Sequence, residues 1–173
     1  MKKAFIAIML SSLFAANAAY ADDIPASIQI SGTVQDTNND CYIYVDSSAS
    51  LTGQTDQLIA QGADATTPIR LPISVGNVGG FCPAPQKLSI QVHGVADDAD
   101  GTVIANSITD ATGAKGVGIG VYDDNNAPLN INGGIIPLDT AITAINLQLV
   151  KLNGQTPTRG AVHGVLTLDL VRL

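Results

Sequence analysis

The chain has 173 residues, 46% of them apolar and 13% charged, with 17 glycines and a net charge of −7. That length suits one globular domain after removal of any processed segment, and is short for two. All 15 acidic residues are Asp, and neither Glu nor Trp occurs. Asp competes with the backbone and favours caps and turns, so the composition argues against a helical bundle. The eight Lys and Arg are scattered, which supplies no basic face for nucleic acid.

Residues 1–21 read as a signal peptide. Lys2 and Lys3 form a positive start, Ala4 to Ala16 is apolar or small apart from Ser11 and Ser12, and Ala19-Tyr20-Ala21 is an A-x-A cleavage site. A transmembrane anchor would need roughly 20 apolar residues, more than this run supplies. Export suits an oxidising compartment, where the two cysteines, Cys41 and Cys82, most simply form one disulfide. A metal site would need more ligands, and the C-x-x-C spacing of a redox pair is absent.

Beyond the leader the chain reads as strands. Apolar residues alternate at Ile24, Ala26, Ile28 and Ile30; at Ile69, Leu71, Ile73 and Val75; and at Leu88, Ile90 and Val92. The same period of two returns at Val117, Ile119 and Val121; at Ile145, Leu147 and Leu149; and at Leu166, Leu168 and Leu170. Turn chemistry separates these runs at 36–40, 97–101, 123–126, 132–134 and 153–154, where Asp, Asn and Gly bond their own backbone or tolerate positive φ. Short strands punctuated in this way predict an all-β sandwich. Residues 47–67, rich in Ser, Thr, Gln and Ala, are expected to form a loop with at most a short helical turn.

Several constellations look like sites and fall short. Asp98-Ala99-Asp100-Gly101 is similar to a calcium loop, but setting Gly101 at the sixth position leaves Ala96 and Ser107 where carboxylates are required. Gly116, Gly118 and Gly120 precede more strand rather than a helix, so they suit close packing better than phosphate binding. His93 and His163 lie in different strands, and no serine sits in a G-x-S-x-G elbow. Catalytic machinery, cofactor and metal are therefore not expected.

The ends of the chain carry the stronger signal. After cleavage an alternating strand stands at the N-terminus, and Val162, Leu166, Leu168 and Leu170 share one face of a strand that runs to Leu173. Exposed edges are what sheet proteins normally protect, so both ends look suited to pairing.

In these features the sequence resembles the pilin subunits of chaperone–usher fimbriae, the type 1 fimbrial family, over nearly all of the mature chain. Ile28-x-Ile30-x-Gly32-x-Val34 followed by Cys41 is similar to the family's N-terminal segment, and Phe81-Cys82 to its second cysteine. Gly116 to Asp123 with Pro128-Leu129 resembles its central strand and turn, and Ile145 to Leu149 its penultimate strand. Gly160, fourteenth from the end, stands where the family's C-terminal motif has glycine. Two features depart from the pattern: Arg172 replaces the usual penultimate aromatic, and the segment before Gly32 is short. A minor or adaptor subunit and a shaft subunit both remain open.

The resemblance implies an immunoglobulin-like β-sandwich, residues 35–173, that lacks its last strand and is completed by donor-strand complementation. Residues 22–34 would be the donor extension, with Ile24, Ala26, Ile28, Ile30 and Gly32 as its functional set. Gly160, Val162, Leu166, Leu168, Leu170 and the Leu173 carboxylate would lie beside a periplasmic chaperone's strand. Other pilin subunits would then join head to tail at an outer-membrane usher. A host receptor would be reached through the extracellular fimbria, and nucleic acid has no part. An isolated monomer would either leave the donor segment protruding or fold it into its own groove. A carbohydrate-binding adhesin module of the same architecture, or an exported β-sandwich enzyme, are the other readings; neither requires a chaperone.

Overall fold

The computed structural model describes residues 26–30, 41–77 and 84–173. Within them lie twelve strands: β1 (Ala26–Ile30), β2 (Cys41–Val45), β3 (Ser48–Leu51), β4 (Ile59–Ala60), β5 (Ile69–Asn77) and β6 (Leu88–Gly94), then β7 (Ile104–Ala105), β8 (Val117–Tyr122), β9 (Pro128–Leu129), β10 (Ile135–Pro137), β11 (Ile142–Lys151) and β12 (His163–Arg172). The helical element among the described residues is a single 3₁₀ turn, Pro85–Lys87.

Two sheets face each other. One runs β10-β6-β12-β1-β3, the other β2-β5-β11-β8-β7, with β4 added to β11 and β9 to β8. From Leu71 onward the period-two runs of the sequence put most of their apolar positions between the sheets, whereas Ile69 is exposed. Ile73, Ile90, Val92, Ile119, Ile145, Leu147, Leu166 and Leu168 are all buried there, which is how a sandwich core forms from alternating strands.

The turns follow from their chemistry. Asp123 Oδ1 accepts from the Asn125 and Ala127 amides, both at 2.8 Å, and Asn126 takes a φ of 67°. Gly118 stands where Val103 and Leu152 press in from the next layer: a Cβ there would lie 2.7 Å from Val103 Cγ2 and 2.9 Å from Leu152 Cδ2. The ring of Tyr122 covers Gly120 in the same way.

The segment 47–67 departs from expectation. It contains β3, whose Ala49 and Leu51 are buried while Ser48 and Ser50 are exposed. Four residues of Ser-Ala-Ser-Leu carry little apolar signal, and the strand exists because β1 pairs with it. Farther on, β4 and the turn after it cover the outer face of the second sheet. There Ala65, Val103, Tyr122, Val150 and Leu152 form a second small core. Burial, with Asp64 nearby, pushes the Tyr122 hydroxyl up to about 12.

A polar knot fastens this cover. The buried Gln61 amide nitrogen donates to Asp97 Oδ2 at 3.0 Å and to Thr102 Oγ1 at 2.9 Å, and also bonds Asp100. Its carbonyl accepts from the Asn153 amide at 3.0 Å. Burial by itself would push the Asp97 carboxyl up. Backbone donors from Val103, Ala99 and Asp100, with Gln61, outweigh it and hold the group below the ordinary carboxylate range. Within the calcium-like run itself, Asp98 Oδ1 accepts from Gln155 Nε2 at 3.0 Å and Asp100 bonds Gln61, Thr102 and Asn153.

Candidate strand-accepting site

The site is assembled from the two ends of the described fold. β1 lies between β3 and β12, antiparallel to the first and parallel to the second. Ser27 is level with His163, Ile28 with Gly164, Gln29 with Val165 and Ile30 with Leu166. On the other side Ala26 is level with Leu51, Ile28 with Ala49 and Gln29 with Ser48. Positions 26, 28 and 30 therefore align with the buried Leu51, Ala49, Gly164 and Leu166, and position 29 with the exposed Ser48 and Val165. The alternation read from the sequence is in step with both walls. Of the two arrangements expected for an isolated chain, residues 26–30 adopt the one in which the strand lies within its own fold.

β12 forms the longer wall. Val162, Leu166 and Leu168 are buried, Leu170 is half-buried, and Leu173 is exposed with its amide donating to Lys87 O at 2.9 Å. The opposite edge of β12 is held by β6, with Leu166 level with Gly94 and Leu168 with Val92. His93 Nε2 and Asp169 Oδ2 add a cross-strand contact at 3.4 Å between the same two strands.

The start of β12 is anchored by residues that the sequence did not single out. Asn106 Oδ1 accepts from the His163 amide at 3.0 Å, while its Nδ2 donates to the carbonyls of Ala114 and Ala161, each at 3.0 Å. Ser107 Oγ lies 2.8 Å from His163 Nδ1. Gly160 sits just before this anchor, and a Cβ on it would overlap the Ala114 amide and the Gly113 carbonyl carbon. Its requirement is a close backbone approach, for Ala161 donates to Thr112 O at 2.8 Å and Ala114 donates back to Ala161 O at 2.9 Å. Nothing in local sequence marks Asn106, because its partners lie up to 57 residues away.

Of the remaining site residues, Ile24, Gly32 and Cys82 lie outside the described residues. Cys41 opens β2, is buried and is not a free thiol. It stands level with Asn77, the last residue of β5. The two histidines engage separate partners, Asp169 and Ser107. Among the described residues no group of three or more His, Cys, Asp or Glu is placed to hold a metal ion, and no helix is long and apolar enough to cross a membrane.

The sequence matches the family described as "Fimbrial protein" over residues 28–170, which takes in β3 and β12 as far as Leu170. It is also 27% identical, over 141 residues, to the probable major fimbrial subunit LpfA of Escherichia coli O157:H7, covering 80% of this chain and 77% of that protein. An all-β, two-sheet fold in which the first described strand lies against the last accompanies that match, and the chain belongs to the fimbrial protein family as a structural pilin subunit of a fimbria.

Proposed function

We propose that this subunit polymerises by strand exchange, in which the 22–34 segment of one copy occupies the slot between β3 and β12 of the next. The observation that carries this reading is the position of β1. It is a short strand, paired on both sides, inserted between a four-residue strand and the C-terminal strand. A slot that accepts this segment from its own chain offers the same backbone bonds and side-chain spacing to the segment of another copy. Each copy carries one slot and one strand, so exchange is head to tail, does not close, and gives a filament.

Main-chain bonds supply affinity, and apolar positions supply the rest. Ile24, Ile28 and Ile30 would each contribute about 1.5–3 kcal/mol if buried, before the cost of ordering the segment. An unfilled slot would expose Leu51, Leu166 and Leu168, which are buried here. For that reason we assign a periplasmic chaperone to the nascent subunit and an outer-membrane usher to the exchange. Residues 1–21 direct export, and Cys41 with Cys82 forms one disulfide between the opening of β2 and the segment after β5. The assembled filament is extracellular and supports adhesion, and the subunit is not an enzyme.

The test is a chain lacking residues 22–30. It keeps Ser48–Leu51 and His163–Arg172, the residues between which the strand inserts, and cannot donate. Produced with the intact chain, it should be incorporated only at one filament end and shorten the filaments seen by electron microscopy. Filaments of ordinary length from the deleted chain alone would overturn the reading.

A further inference from the structure

The sequence contains two Asn-Gly pairs, Asn132-Gly133 and Asn153-Gly154, and the fold holds them differently. The Asn132 side chain is tied at both ends, with Oδ1 accepting from the Gly94 amide at 3.2 Å and Nδ2 donating to Gly94 O at 3.1 Å. Its own amide donates to Val92 O at 3.0 Å, and the Gly133 amide to Asn130 O at 3.3 Å. Asn153 and Gly154 form the exposed turn after β11, where the Gln155 amide donates back to Leu152 O at 3.2 Å. The Asn153 side chain is tied only through Nδ2, which donates to Asp100 Oδ2 at 2.9 Å. Among the described residues neither its Oδ1 nor the Gly154 amide makes a hydrogen bond. Gly154 has a φ of 73° and open space where a Cβ would stand, so no side chain shields the nitrogen that follows Asn153.

We propose that Asn153 is a site of spontaneous deamidation, and that the carboxylate formed there loosens the knot of Gln61 and Asp97. The Gly154 nitrogen attacks Asn153 Cγ and gives up its proton. The new N–C bond closes a five-membered imide, the Cγ–Nδ2 bond breaks, and the amide nitrogen leaves with that proton as ammonia. Water then opens the ring at either carbonyl, giving aspartate or isoaspartate. One water is consumed and one ammonia released, and nothing is oxidised or reduced. At Asn153 a single side-chain bond stands in the way of this attack, whereas at Asn132 both side-chain bonds and that of the attacking amide must break.

The product matters because of what faces it. Asp100 Oδ2 would meet a carboxylate, which only accepts, where it now meets a donor. The same Asp100 bonds Gln61 and Thr102, and Gln61 in turn accepts from the Asn153 backbone amide at 3.0 Å. Repulsion at this one contact therefore reaches the residue that fastens β4 and its turn over Val103, Tyr122, Val150 and Leu152. Isoaspartate also lengthens the main chain by one atom and draws Gln155 away from Leu152 O.

Two measurements on the whole chain test this. The first follows both pairs by peptide mass spectrometry while the folded protein is held warm at mildly alkaline pH. Asn153 should convert severalfold faster than Asn132, and in urea, where neither pair has tertiary partners, the two should convert at similar rates. Equal conversion in the folded protein, or the same imbalance in urea, overturns the assignment.

The second measures the consequence. Asn153→Asp, the direct product, should lower the melting temperature at neutral pH by about 2–4 °C. Adding Asp100→Asn puts one donor opposite one acceptor again, and its Oδ1 can still accept from Gln61 and Thr102. Read as a double-mutant cycle against Asp100→Asn alone, the pair should recover most of the loss. An Asn153→Asp chain that melts with the unaltered one, or a pair without recovery, overturns the effect on the knot.

Discussion

Ile28 stands level with Gly164, in a pairing where the first described strand and the last run in the same direction. Parallel neighbours need a long connection, and here the connection is the rest of the domain. The two paired strands are therefore joined along the chain only through the rest of the domain.

The register gives the most direct prediction. Ile28→Asp places a charge level with the buried Ala49 and Gly164, while Gln29→Asp places one level with the exposed Ser48 and Val165. The first should abolish donation of the strand yet leave a subunit that can accept one, and the second should assemble nearly normally. Counting surface filaments by electron microscopy checks this, and greater damage from Gln29→Asp would show that the register is wrong.

The C-terminal strand is the wall on which both pairing and the core depend. Leu168 is fully buried and level with Val92, which is also fully buried. Leu168→Asp puts an unpaired charge in the core and should cost several kcal/mol unless the carboxyl neutralises. The expected outcome is degradation in the periplasm and loss of chaperone co-purification, read by pull-down and immunoblot. Thr167→Asp, at a half-exposed position, should be tolerated.

Replacing Cys41 or Cys82 by Ser should lower the amount of subunit at the cell surface. A loop of about 40 residues closed by a disulfide is worth roughly 4 kcal/mol in the chain-entropy model. Mass spectrometry of the unreduced protein should find no free thiol.

Asp97 should make the domain acid-sensitive. Its carboxyl is held below the ordinary range, so the stabilisation is present in full above the unfolded carboxylate value and is lost as pH falls through the folded one. Asp97→Asn should lower the melting temperature at neutral pH, by about 1–3 kcal/mol of stability, because an amide facing the Gln61 amide cannot accept what the carboxylate accepts. It should also flatten the loss of stability below about pH 4. Asp110, also depressed through its bonds to Thr112, titrates in both proteins. The difference between their thermal melts across pH therefore isolates Asp97.

Much of this molecule is set locally. Alternation at Ile69–Val75, Val117–Val121 and Leu166–Leu170, with Asn and Asp turns between them, is enough for an all-β sandwich. Period two and positive-φ chemistry act within a few residues. The alternation at 26, 28 and 30 is legible for the same reason, as is the suitability of the glycines on β8 for close packing.

Only the tertiary structure decided the rest. β3 has almost no apolar signal of its own and is a strand because β1 pairs with it. The Gln61 and Asp97 knot joins residues 36 apart, and Asn106 fastens a strand that starts 57 residues later. Ala49 and Gly164, more than a hundred positions apart, are both level with Ile28, and such long-range pairing is the one step that local periodicity does not specify.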